Sequence, residues 1–124
     1  MFQLAHISDP HLAPLPAPSF AQLLGKRLIG YLSWHQRRKA FHQRRVLSAL
    51  AVDLAEMRPH HVAITGDICN ISLPREFVNG RDWLNTLGRP DAISVVPGNH
   101  DTYVSAPWEE TLGLWAEYMS SDSV

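Results

Sequence analysis

The sequence predicts an α/β fold on parallel strands, and two observations carry that expectation. Three short apolar runs, at residues 2–7, 61–65 and 92–96, each end in a polar turn, as buried strands do. The stretches between them place apolar residues at helical spacing, so the order reads β-α-β-α-β. Parallel strands joined by crossover helices satisfy that order.

The first run, Phe2-Gln3-Leu4-Ala5-His6-Ile7, alternates and is stopped by Ser8-Asp9-Pro10. Between Leu12 and Ser19 stand Pro14, Pro16 and Pro18, each of which removes a backbone donor and fixes φ, so an extended loop is expected. From Phe20 onward, Leu23, Leu24, Leu28, Tyr31 and Leu32 fall at helical spacing. Gly25 and Gly30 oppose that helix at about 1 kcal/mol each relative to alanine. A firmer helix gathers Val46, Leu47, Leu50, Leu54 and Met57 on one face and ends before Pro59. The second strand closes at Gly66-Asp67. Ser72 ahead of Leu73-Pro74-Arg75-Glu76 reads as a helix start, and the helix is expected to reach Leu87 with Gly88 as its C-cap. The third strand closes at Pro97-Gly98, and a last helical segment spans about residues 108–119 before a polar tail.

Composition narrows the class. The 124 residues are 45% hydrophobic and 19% charged, a globular mixture in the size range of one domain. The single cysteine, Cys69, excludes an internal disulfide framework and suits a reducing compartment. No apolar run approaches the roughly 18 residues of a membrane span. Met1-Phe2-Gln3-Leu4 lacks the basic start of a signal peptide, so a cytoplasmic location is expected. The net charge of −1 hides an asymmetry. Residues 1–52 hold one acid, Asp9, and seven bases: Lys26, Arg27, Arg37, Arg38, Lys39, Arg44 and Arg45. Residues 53–124 hold eleven acids and four bases, so the two parts carry +6 and −7. Such a split suits an anionic ligand or an anionic membrane, and equally a basic segment lying against an acidic remainder.

Each strand ends in a polar cluster: Asp9-Pro10-His11, Gly66-Asp67 and Gly98-Asn99-His100-Asp101. Loops beyond the carboxyl ends of parallel strands converge on one crevice, so these distant residues should share a site. Oxygen and imidazole donors together suit Mn, Fe, Zn or similar ions better than calcium. A carboxylate such as Asp67 can bridge two ions, with Asp9 and His11 on one side and the Asn99 carbonyl oxygen on the other. One Asp-x-His is weak evidence, but three such strand ends specify a site jointly. His60-His61 tempts as a metal pair yet stands at the start of the second strand, remote from those ends, and is read as structural. The three motifs, in this order and context, resemble the first three motifs of the calcineurin-like metallophosphoesterases. The chain is also similar to bacterial members related to cyclic-nucleotide phosphodiesterases.

The resemblance implies the N-terminal half of an αββα sandwich with a dinuclear metal centre and a hydrolytic activity on phosphomonoesters or phosphodiesters. Asp9 and His11 would bind the first ion, Asp67 would bridge, and Asn99 would bind the second. His100 would bond the phosphoryl group and assist the leaving group, with Asp101 orienting its ring. Two ions about 4 Å apart polarise phosphoryl oxygens and acidify a water that attacks phosphorus in line. The family's later ligands, a lone histidine and a Gly-His-x-His motif, have no counterpart after His100. The expectation is therefore one truncated domain over residues 1–124, with reduced or single metal occupancy, weak or absent turnover, and self-association through an uncovered sheet. The family often has an acid where Asn70 stands, which alters a bond behind the ligands.

The Asp9–Asp67 spacing is long for the family, and the surplus falls at about residues 12–45, a basic helical insertion. Lys26, Arg27, Arg37 and Arg38 beside Leu28, Tyr31, Leu32 and Trp34 are candidates for a lid over a phosphate-ester substrate. The same segment suits an anionic membrane surface, or a plain helical cap on the core. Without a clear aromatic platform, nucleic acid is not expected as a partner. The alternative to an enzyme is a module that holds phosphate or one metal without turnover.

Overall fold

The computed structural model describes residues 1–38 and 44–120, with the side chains of Arg37 and Arg38 outside that description. Three strands, β1 (Leu4–Ser8), β2 (His61–Thr65) and β3 (Ile93–Val96), form a parallel sheet in the order β1-β2-β3. Helix α1 (Lys26–Ser33) and helix α2 (Arg44–Met57) fill the first crossover, and α3 (Pro74–Leu87) fills the second. The α/β class and its element order are as the sequence predicts.

Register explains which face is buried. Ala5, Val62 and Ile93 align across the sheet, as do Ile7, Ile64 and Val95. Because side chains alternate along a strand, these six share one face. That face packs on Phe77 and Leu84 of α3 and on Leu50 and Leu54 of α2. The opposite face is mixed. His6 bonds Thr65 Oγ1 at 2.7 Å and His61 bonds Ser94 Oγ at 2.9 Å, while Leu4 and Val96 stay exposed. The uncovered face therefore mixes two histidine–hydroxyl pairs with exposed apolar side chains. Both β1 and β3 are edges among the described residues.

Local chemistry sets the helix ends. Helix α2 stops where Arg58 takes φ 47°, donating to Leu54 O just before Pro59. Helix α3 ends with Gly88 N bonded to Leu84 O. Its start lies where the sequence predicts, with Pro74 in the first turn. Leu73, not Ser72, is the N-cap, and the Glu76 carboxylate returns to Leu73 N at 3.0 Å. The final segment is not one helix. Single turns at Trp108–Glu110 and Leu112–Trp115 lead into a four-residue helix, α4 (Ala116–Met119). Thr111 interrupts it, with φ −129° and ψ −114° and its hydroxyl bonded to Pro107 O. This segment still seals the core: Trp115 is fully buried, and its indole N–H donates to Phe77 O at 2.9 Å. Gly80 makes room for it, since a Cβ there would lie 2.7 Å from the indole.

Candidate metal centre

The loops after β1, β2 and β3 lie side by side because main-chain bonds continue past the strands. His11 N donates to Asp67 O and Leu12 N to Ile68 O, both at 2.9 Å. Asp9, His11, Asp67 and Ser72 hold positive φ of 51°, 40°, 58° and 56°. Each such residue costs roughly 1 kcal/mol or more, and their clustering marks a place over-determined by its surroundings. Gly66, at φ 81°, and Gly98 meet back to back. A Cβ on Gly66 would lie 2.8 Å from Gly98 Cα, and one on Gly98 would lie 2.6 Å from Asp67 N and run into its carboxylate. Only glycine fits at both positions.

The structure brings His11, Asp67 and His100 together, one donor atom from each lying within 4.8 Å of the others. His11 and Asp67 are buried and His100 half-buried. The His11 ring presents Nδ1 to Cys69 O at 3.0 Å, and the His100 ring presents Nδ1 to Asn70 O at 2.6 Å. A carbonyl only accepts, so each ring donates from Nδ1. Consecutive carbonyls of one loop thus fix the orientation of two imidazoles. His11 Nε2 stands 3.9 Å from Asp67 Oδ2, while Asp67 Oδ1 accepts from His100 N at 2.8 Å. The rings of His11 and His100 meet edge to face, centroids 5.0 Å apart. Imidazole nitrogens and a carboxylate oxygen placed this closely could hold a divalent metal ion.

Other expected residues stand elsewhere. Asp9 is exposed and its carboxylate lies outside this cluster, although its N–H joins the loops by donating to Gly66 O at 3.2 Å. Asn99 is exposed on the third loop. Asp101 differs from the expectation that it orients the His100 ring. Its Oδ2 accepts from Asp67 N and Gly98 N and its Oδ1 from Cys69 N, at 2.7–2.8 Å, so the Nδ1 partner of His100 is the Asn70 carbonyl. A buried carboxylate facing three amides becomes a clamp on the second and third loops. Burial raises its pKa, the three amides oppose the rise, and the Asp67 charge adds to it. Burial pushes the Cys69 thiol well up, with Glu76, Asp101 and Asp67 contributing.

Asn70 is fully buried. Its amide donates to Leu12 O and to Glu76 Oε1, both at 3.0 Å. An acid at this position would face those two acceptors with no proton to offer, which explains the asparagine in this chain. Glu76 itself escaped the sequence reading as a site residue. It is 3% exposed and accepts from Asn70 N, Ile71 N and Leu73 N besides the Asn70 amide. Its signal was its place as third residue of a helix that opens with proline. Ser72 Oγ donates to His100 O and accepts from Tyr103 N, tying the second loop to the third. Tyr103 stacks on His100 at 5.8 Å and nothing in its sequence context announced it.

Of the candidate lid bases, Arg27 is otherwise engaged. Its guanidinium donates to Ile71 O at 3.3 Å and Ser72 O at 2.6 Å, because α1 packs on the loop after β2. Partial burial lowers its pKa and Glu76 opposes that. Lys26 is exposed, with Nζ 4.4 Å from the Tyr103 ring centre. The side chains of Arg37 and Arg38 fall outside the described residues, as do Lys39 and His42. His60 is structural as read, its Nδ1 accepting from Gln3 N and its ring stacked on Phe2. A cleft of about 600 Å³ between the proline loop, α2 and α3 is lined by Leu12, Pro14, Leu47 and Trp83 and contains none of the cluster.

No helix among the described residues is long and apolar enough to cross a membrane. A search of curated proteins finds no match. The family description "calcineurin-like phosphoesterase" matches residues 2–122. With a His/Asp cluster at the ends of three parallel strands and a match over almost its whole length, the chain belongs to the calcineurin-like phosphoesterase family.

Proposed function

We propose that this chain carries the metal-binding part of a phosphoesterase that hydrolyses a phosphomonoester or phosphodiester by attack of water. The observation that supports it most is the convergence of His11, Asp67 and His100, with both imidazoles oriented through Nδ1. A divalent ion held there would supply charge for phosphoryl oxygens and acidity for a water nucleophile. His11 and Asp67 would hold it, Asp9 would have to turn its exposed carboxylate inward to join them, and Asn99 would serve a second ion. His100, beside His11 and Asp67, would bond the phosphoryl group and assist the leaving oxygen. Cys69 O and Asn70 O keep both rings from turning. Asp101 and Glu76 hold the loop carrying those carbonyls, so their effect on the chemistry is positional.

Among the described residues no fourth His, Cys, Asp or Glu joins the cluster. This shortage supports a second reading, in which the chain holds metal or phosphate without turnover. Manganese-loaded protein assayed on bis-p-nitrophenyl phosphate separates the two. Hydrolysis above the buffer rate that disappears in Asp67→Asn supports the enzyme. Bound manganese without hydrolysis leaves the binding module.

A further inference from the structure

We infer that α1 seats the protein on an anionic phospholipid surface beside the metal centre. The inner face of this helix is latched to the site. Arg27 bonds Ile71 O and Ser72 O, Tyr103 donates its hydroxyl proton to Lys26 O at 3.2 Å, and Trp34 is buried just past the last turn. Gly30 lets the helix come close, since a Cβ there would lie 2.7 Å from Ile71 and 3.2 Å from the Tyr103 hydroxyl. At 100° per residue, Arg27, Gly30, Tyr31 and Trp34 share one side of the helix. Leu28, Ile29 and Leu32 fall on the other and are 44%, 70% and 51% exposed. Phe20 and Leu24, on the approach to the helix, are 86% and 69% exposed.

Five large apolar side chains within thirteen residues form an outward surface that water disfavours. Charge decides what covers it. From Pro10 to Val52 the chain has seven bases and no acid, and Lys26, Arg44 and Arg45 are exposed. A second copy meeting this face about a two-fold axis would bring the same basic segment against itself. An anionic bilayer accepts the apolar face and attracts the bases together. This role does not require hydrolysis.

Flotation with vesicles tests it, using equimolar phosphatidylcholine and phosphatidylglycerol against phosphatidylcholine alone. The protein is expected to float with the anionic vesicles, to be released by salt, and to lose about tenfold in partition when Ile29→Asp and Leu32→Asp are combined. Circular dichroism and manganese uptake on the same double variant show that the fold and the metal cluster survive, because both residues point away from them. Equal binding to neutral vesicles, binding retained by the double variant, or no flotation of the wild-type chain would each overturn the inference. A dimer that forms without lipid and is dissolved by the double variant overturns it too, and assigns the face to a second copy. Flotation without manganese uptake would sink the phosphoesterase reading and leave this one standing.

Discussion

At the scale of single residues, Gly98 and Gly25 show how differently two glycines constrain the molecule. Gly25 has φ 78°, and a Cβ added there would meet nothing within 4 Å, so alanine faces backbone strain alone, about 1 kcal/mol. Gly98 faces Asp67 backbone and carboxylate at contact distance. Gly98→Ala is expected to cost about 2–3 kcal/mol and to displace the carboxylate from His11. Denaturant titration measures the first effect and manganese affinity the second, and Gly25→Ala should change only the first. Cys69 gives a pH prediction. Its folded thiol titrates well above the ordinary 9.0, so below pH 9.0 its contribution to stability is fully present. Above that, the unfolded chain releases the proton first and the contribution falls. Relative to Cys69→Ala, the wild-type chain should lose stability as pH rises past 9.0. Parallel curves for the two proteins through that range would refute the shift. The three strand ends were legible at this scale because each motif follows an apolar run and precedes a turn. Which side chain of a turn points inward was not. Asp101 and His100 are neighbours, yet the carboxylate turns to three amides and the ring to a carbonyl.

At the scale of elements, the loop from Gly66 to Leu73 is the part on which the site depends, and Glu76 is what shapes it. One carboxylate satisfies three main-chain N–H groups and the Asn70 amide in a buried position. Glu76→Ala leaves those donors without acceptors and is expected to cost about 3–5 kcal/mol. It should also loosen the Asn70 carbonyl that fixes His100. The check is a lowered thermal midpoint together with a changed His100 ring resonance in NMR; an unchanged resonance would separate Glu76 from the site. The helix start was readable in Pro74, but the Ser72 hydroxyl's bonds to His100 O and Tyr103 N across the loops were not. The last segment escaped for a related reason. Its apolar spacing is helical, but the Thr111 hydroxyl competes for a backbone carbonyl and breaks it into turns.

At the scale of the whole molecule, a three-stranded sheet with helices and turns on one face carries the site on its carboxyl ends. Its stability rests on few large side chains. Trp115→Ala is expected to cost about 3–5 kcal/mol, since the indole fills the space above Gly80 and bonds Phe77 O. A loss under about 1 kcal/mol in denaturant unfolding would show that the C-terminal turns do not close this core. The parallel order was legible from three apolar runs, whereas the close seating of α1 was not, because Gly30 and Arg27 act through contacts far away in sequence. Whether the strand ends form a metal centre is decided by manganese titration in a calorimeter, with His11→Gln and Asp67→Asn beside the wild-type chain. At least one ion per wild-type chain is expected, with loss of that binding in both variants. Uptake unchanged by Asp67→Asn, or none in the wild type, would show that these residues do not hold a metal.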